Sequence, residues 1–142
     1  MATENDHERA CELRELGESA RRNRDLPAAQ KYYEEASALL RNSVDRMTFA
    51  HTIRHLGDVY VDTRNWSGAD VCYREALEIY RSQPSARVLD FANAIRAYAV
   101  LKDKTGKQDE SRGLWAEAGL LYQAEGIQAG IEECARHTGQ AS

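Results

Sequence analysis

HLGDVYVDTRNWSGADVCYREALEIY, residues 55–80, holds two helical stripes separated by a polar turn. Leu56, Gly57 and Tyr60 extend a stripe that begins at Ile53. Val71 or Cys72, Ala76, Ile79 and Tyr80 form a second at the same spacing of three and four. TRNWSG at 63–68 has the Thr, Asn, Ser and Gly of a connection. Gly57 on the first stripe and Ala69 and Ala76 on the second allow close approach of two backbones, while Tyr60 and Tyr73 fill the space beside them. The stretch predicts two antiparallel helices.

The segment IRHLG at 53–57 has counterparts in LRELG at 13–17, IRAYA at 95–99 and ARHTG at 135–139. Their fifth residues, Gly17, Gly57, Ala99 and Gly139, stand 40, 42 and 40 residues apart. A second signature follows at constant distance: Ala29, Tyr33 and Ala36, then Ala69, Tyr73 and Ala76, then Ser111, Trp115 and Ala118. RNRDLP at 22–27 and KTGKQD at 104–109 supply the other turns within pairs, and RNSVD at 41–45 and SQPS at 82–85 separate the pairs. A lone helix pair leaves one apolar flank bare, and stacking of repeats buries it. The expectation is one domain over 1–142, with repeats at about 6–43, 45–83 and 86–124. GIQAGIEECARHTG at 126–139 fits a lone capping helix over about 126–138.

These residues resemble the tetratricopeptide repeat (TPR) family, whose L-G, Y, A, aromatic and A positions are matched by Leu56, Gly57, Tyr60, Ala69, Tyr73 and Ala76. The first repeat departs at Ala20, where a tyrosine is usual. The third departs at Tyr98 and Ala99 for L-G, Lys102 for tyrosine and Ser111 for alanine. The repeats exceed the usual length of about 34 residues and resemble the longer variety of kinesin light chains and many bacterial TPR proteins. The resemblance covers roughly residues 10–139. It implies an all-α, TPR-like α-solenoid of three helix-turn-helix repeats plus a C-terminal capping helix, seven helices in all, acting as a non-catalytic protein-interaction module.

At 142 residues the chain is long enough to bury a core unaided. No apolar run approaches the roughly 20 residues that cross a bilayer, so membrane insertion is not expected. The N-terminal MATENDHERACELRELG lacks the basic start and apolar stretch of a secretory signal, which places the expected location in the cytoplasm. A net charge of −4 argues against a broad nucleic-acid face. Three cysteines, Cys11, Cys72 and Cys134, are odd in number and widely spaced, indicating neither a disulfide framework nor a zinc knuckle.

Arginine returns at the second place of every segment, as Arg14, Arg54, Arg96 and Arg136. If Ile53, Leu56 and Tyr60 point inward, His51, Arg54, Asp58 and Val61 form a neighbouring stripe about 100° around the helix. In proteins resembling this one, that stripe lines a concave groove for peptides or partner helices. Neighbouring arginines in such a row would stand roughly 10 Å apart and repel by about 0.4 kcal/mol in water and about 1.7 kcal/mol at an effective dielectric near 20. Glu18, Asp58 and Glu132 stand four residues from Arg14, Arg54 and Arg136 and are expected to offset this. Arg96 has no acid at that spacing, which marks it as the arginine most available to a ligand carboxylate. The opposing reading is that arginine merely favours helix and shields apolar surface.

His51, His55, Asn93, Tyr98 and His137 lie beside the row as polar groups able to read a peptide. The Lys and Asn pattern of chaperone-binding TPR clamps is not matched. His51 and His55 have a zinc-compatible spacing, yet HTIRH lacks the glutamate of H-E-x-x-H and a third ligand. TGKQ at 105–108 is a turn and no phosphate loop, since Leu101 stands where the first glycine is needed and Gln108 where Ser or Thr is needed, and Cys134 near His137 reads as helix surface. No metal, cofactor or catalytic residue is therefore expected. The candidate binding residues are Arg14, Arg54, Arg96, Arg136, His51, Asn93 and Asp58, for a protein or peptide with an acidic or carboxylate anchor. A self-assembling homodimer is the alternative, although the polar first helix favours a monomer.

Overall fold

Apolar and small residues at helical spacing, stopped by short polar turns, give seven helices in a computed structural model that describes residues 2–139. They are α1 (Glu4–Arg22), α2 (Leu26–Leu40), α3 (Arg46–Asp62), α4 (Trp66–Ser82), α5 (Val88–Lys104), α6 (Gln108–Glu125) and α7 (Gln128–Thr138). The fold is all-α and of the TPR-like solenoid class. Among the described residues no helix is long and apolar enough to cross a membrane.

The chain divides into two compact units, Met1–Ser82 and Gln83–Ser142. In the first, α1 packs on α2, α2 on α3 and α3 on α4; in the second, α5 packs on α6 and α6 on α7. The first unit's core gathers Ala20, Ala29, Tyr33, Leu56, Val59 and Cys72, with Tyr32 and Tyr60 against it. Close approach is built from a small residue and an aromatic sixteen places later. A Cβ on Gly17 would lie 2.8 Å from Tyr33 Cε2, and one on Gly57 would lie 2.7 Å from Tyr73 Cε1.

The turns repeat as well. Arg24 and Arg64 adopt left-handed backbone, with φ of 60° and 62°, and Gly106 at the corresponding place in the third pair has φ 76°. Helix starts differ between units. Thr3, Asp25, Asp45 and Asn65 each accept a backbone N–H of the helix they precede, whereas Arg87, Lys107 and Ile127 make no such side-chain bond.

Lys102, at the place of the second repeat's Tyr60, is 7% exposed. Its Nζ lies 4.9 Å from the Tyr98 ring centroid and 3.2 Å from Glu110 Oε2, so a paired cation with an apolar stem replaces the aromatic. All three cysteines are free. Cys134 is not helix surface as its spacing from His137 suggested: it is buried, with Gly119 leaving room beside its Cβ.

Candidate functional site

In the first unit the turns of α3 bring His51, Arg54, His55 and Asp58 to one side of the helix, where they meet hydroxyls from α4. His51 Nε2 and His55 Nε2 are 3.2 Å apart. The second nitrogen of each ring also has an oxygen near it: Tyr80 Oη is 3.4 Å from His51 Nδ1, and Asp58 Oδ2 is 3.7 Å from His55 Nδ1. Tyr73 Oη donates to Asp58 Oδ1 at 2.5 Å. From α2 the Tyr33 ring stacks on His55, with centroids 5.9 Å apart and planes 16° from parallel. From α1 Arg21 Nε donates to Asp62 Oδ2 at 2.7 Å.

Cations outnumber the acids around His55. Burial first, then Arg54, His51, Arg14 and Arg21, pushes its pKa down to about 3, so the ring is neutral near pH 7. Burial and Asp58 push the Tyr73 hydroxyl far up, and the hydrogen bond with Asp62 raises Arg21. The Nε atoms of Arg14 and Arg54 are buried and have no hydrogen-bond acceptor among the described residues. A buried donor left in this state costs about 1–3 kcal/mol. A pocket of about 330 Å³ at His55 is lined by Glu18, Arg21, Arg22, Arg24, Tyr33 and His55.

The expected pairings need correction. Glu18 binds Arg22, at 3.0 Å, and not Arg14. An acid that precedes its arginine by four residues is oriented better on a helix than one that follows. Arg54 and Asp58 do approach, at 3.7 Å, but Asp58 is only 13% exposed and spends its closest contact on Tyr73.

In the second unit Arg96 is not the available arginine. Its Nε and Nη2 donate to Glu133 Oε1 and Oε2 at 2.6 and 2.9 Å, a two-pronged bridge from α5 to α7 that spacing along one helix cannot reveal. Arg136 is exposed, and Glu132, expected beside it, accepts from Gln128 Nε2 at 3.2 Å. Asn93 Oδ1 accepts from Tyr122 Oη at 2.6 Å. His137 stacks on Trp115 at 3.8 Å, and both approach Asp103 Oδ2, at 3.3 Å from His137 Nδ1 and 2.9 Å from Trp115 Nε1.

Spacing along the chain marks His55 only as a polar group beside the row, and it does not mark Tyr33 or Arg21 for binding. A signal existed: His55 follows Tyr33 by the same 22 residues that separate His137 from Trp115, and each imidazole stacks on the aromatic that precedes it. Chemically, the first unit offers guanidinium donors and, at His55, a neutral imidazole. Burial pushes Cys72 up to about 12 and Cys134 up to about 11, away from thiolate reactivity. Among the described residues no group of three or more His, Cys, Asp or Glu could hold a metal ion.

The family model of the tetratricopeptide repeat matches residues 8–82, more than half of the chain and nearly all of the first unit. The chain belongs to the tetratricopeptide repeat family. No curated protein matches it in sequence. TPR repeats generally mediate protein–protein interaction, and the family is typically non-catalytic. The departures at Tyr98, Ala99, Lys102 and Ser111 all fall beyond the matched residues.

Proposed function

We propose that the α1 and α3 side of the first unit binds an acidic segment of a partner protein, with Arg14 and Arg54 as its anchors and His51, His55 and Asp58 beside them. The supporting observation is the pair of buried guanidinium Nε atoms that have no acceptor, next to an imidazole whose pKa their charge helps to depress. Guanidinium Nε donors without a hydrogen-bond acceptor, that of Arg54 with Asp58 only as close as 3.7 Å, favour an incoming carboxylate, because part of their desolvation has already occurred. Arg96 carries a smaller role than its spacing suggested, since Glu133 occupies its fork.

The test is titration with a blocked hexa-aspartate peptide. The double variant Arg14→Ala/Arg54→Ala is expected to lose at least tenfold in affinity, because a hydrogen bond to a charged group contributes about 1.5–3 kcal/mol. Circular dichroism confirms that the variant is helical. An unchanged Kd removes the proposed role, as does binding that ignores added salt.

A further inference from the structure

Charges of the first unit converge on His55. From α1 it faces Arg14, Glu18, Arg21 and Arg22, from the turn that follows Arg24, and from α2 the ring of Tyr33. Along α3 its neighbours are His51, Arg54 and Asp58, and α4 reaches it through Tyr80 on His51 and Tyr73 on Asp58. These partners assign a neutral arrangement of the rings. Tyr80 Oη donates to His51 Nδ1, His51 Nε2–H donates to His55 Nε2, and His55 Nδ1–H turns toward Asp58.

That chain can accept one proton without losing a link. The proton enters at His51 Nδ1, the Nε2 proton of His51 passes to His55 Nε2, and Tyr80 Oη turns from donor to acceptor. The new charge then rests on His55 beside the Asp58 carboxylate. Burial and the charges of Arg14, Arg21 and Arg54 oppose this uptake, and a carboxylate brought against two of those arginines cancels part of their field.

We infer that seating a partner's carboxylate on Arg14 and Arg54 makes the His51–His55 pair take up a proton, so the first unit holds an acidic segment more tightly in mildly acid solution than in alkaline. The inference rests on the acidic-segment reading above and adds its regulation. Coupling of this kind is reciprocal, so the bound segment raises the proton affinity of the pair by the factor that protonation raises the affinity for the segment.

The experiment uses the full chain and the blocked hexa-aspartate peptide, whose carboxylates stay ionised from pH 6 to pH 8. Calorimetric titration in two buffers of different ionisation enthalpy counts the protons taken up. Magnetic resonance of the His55 ring reports where they go. If binding returns His55 to the ordinary range near 6.5, uptake is about three quarters of a proton at pH 6 and Kd falls about fourfold from pH 8 to pH 6. In the variant His55→Gln, whose affinity is expected to fall because the ring lies beside the anchors, Kd is expected to stay the same from pH 8 to pH 6. Binding by the native chain without proton uptake overturns the inference and leaves the acidic-segment reading in place. Uptake that persists in His55→Gln also overturns it, and no binding at any of these pH values overturns both.

Discussion

The ring of Tyr73 covers Gly57 so closely that a methyl group at position 57 would come within 2.7 Å of its Cε1. Alanine is the better helix former by about 1 kcal/mol, but overpacking costs about 1–3 kcal/mol. The clash should win, because Tyr73 is also held by Asp58 and cannot swing aside. Gly57→Ala is therefore expected to lower unfolding stability by about 1–2 kcal/mol in urea denaturation. Gly113→Ala is the control: nothing lies within 4 Å of its Cβ position, and it should gain up to about 1 kcal/mol.

Arg64 has φ 62°, and its counterpart in the third pair is Gly106 at φ 76°. Left-handed backbone costs a side-chain-bearing residue about 1–2 kcal/mol, while glycine loosens the unfolded chain by about 0.4–1 kcal/mol. Arg64→Gly is thus expected to stabilise by about 0.5 kcal/mol and Gly106→Ala to destabilise by about 1 kcal/mol. Thermal melts of the two single variants should move in opposite directions.

Lys107 begins α6 without a side-chain hydrogen bond, where Asp25 and Asn65 begin α2 and α4 with one. Lys107→Asp should add a cap and place a negative charge at the positive end of the helix, raising stability by about 1 kcal/mol. A melting temperature that does not rise would mean that the position cannot reach the backbone N–H of Glu110.

How much was legible follows from distance along the chain. The turns, the sixteen-residue offset between small residue and aromatic, and the helix ends are local or periodic, so the fold could be read from residues such as Gly57, Tyr73 and Asn65. Glu133, the partner of Arg96, lies 37 residues away on another helix, where no spacing rule reaches. The imidazole chain was hidden for a different reason. His51 and His55 were visible as a pair, but Tyr80, 29 residues from His51, and Tyr33, 22 residues from His55, become neighbours only after α2, α3 and α4 have packed.

Glu133 is held below the usual carboxylate range by its hydrogen bonds to Arg96, against the opposing effect of burial. A lowered folded-state pKa means that this stability is present above the unfolded value near 4.5 and is lost as pH falls below it. Arg96 is 42% exposed, so solvent screening limits the pair to about 1 kcal/mol. Glu133→Gln is expected to cost about that much at pH 7 and nearly nothing at pH 3, measured by urea unfolding at both.

His55 should impose an acid sensitivity that sets in at higher pH. Its folded pKa of about 3 lies below the ordinary 6.5, so between these values the unfolded chain binds a proton that the folded chain refuses. Stability is complete above pH 6.5 and falls as the pH drops toward 3. At pH 5 the gap of 1.5 pH units corresponds to an upper value of about 2 kcal/mol, and the ring's 30% exposure reduces this to about 1 kcal/mol. His55→Gln loses the stack on Tyr33 and should be less stable than the native chain at pH 7, yet decline less from pH 7 to pH 5. Equal declines in the two proteins, followed by urea unfolding, would show that the imidazole already charges inside the fold.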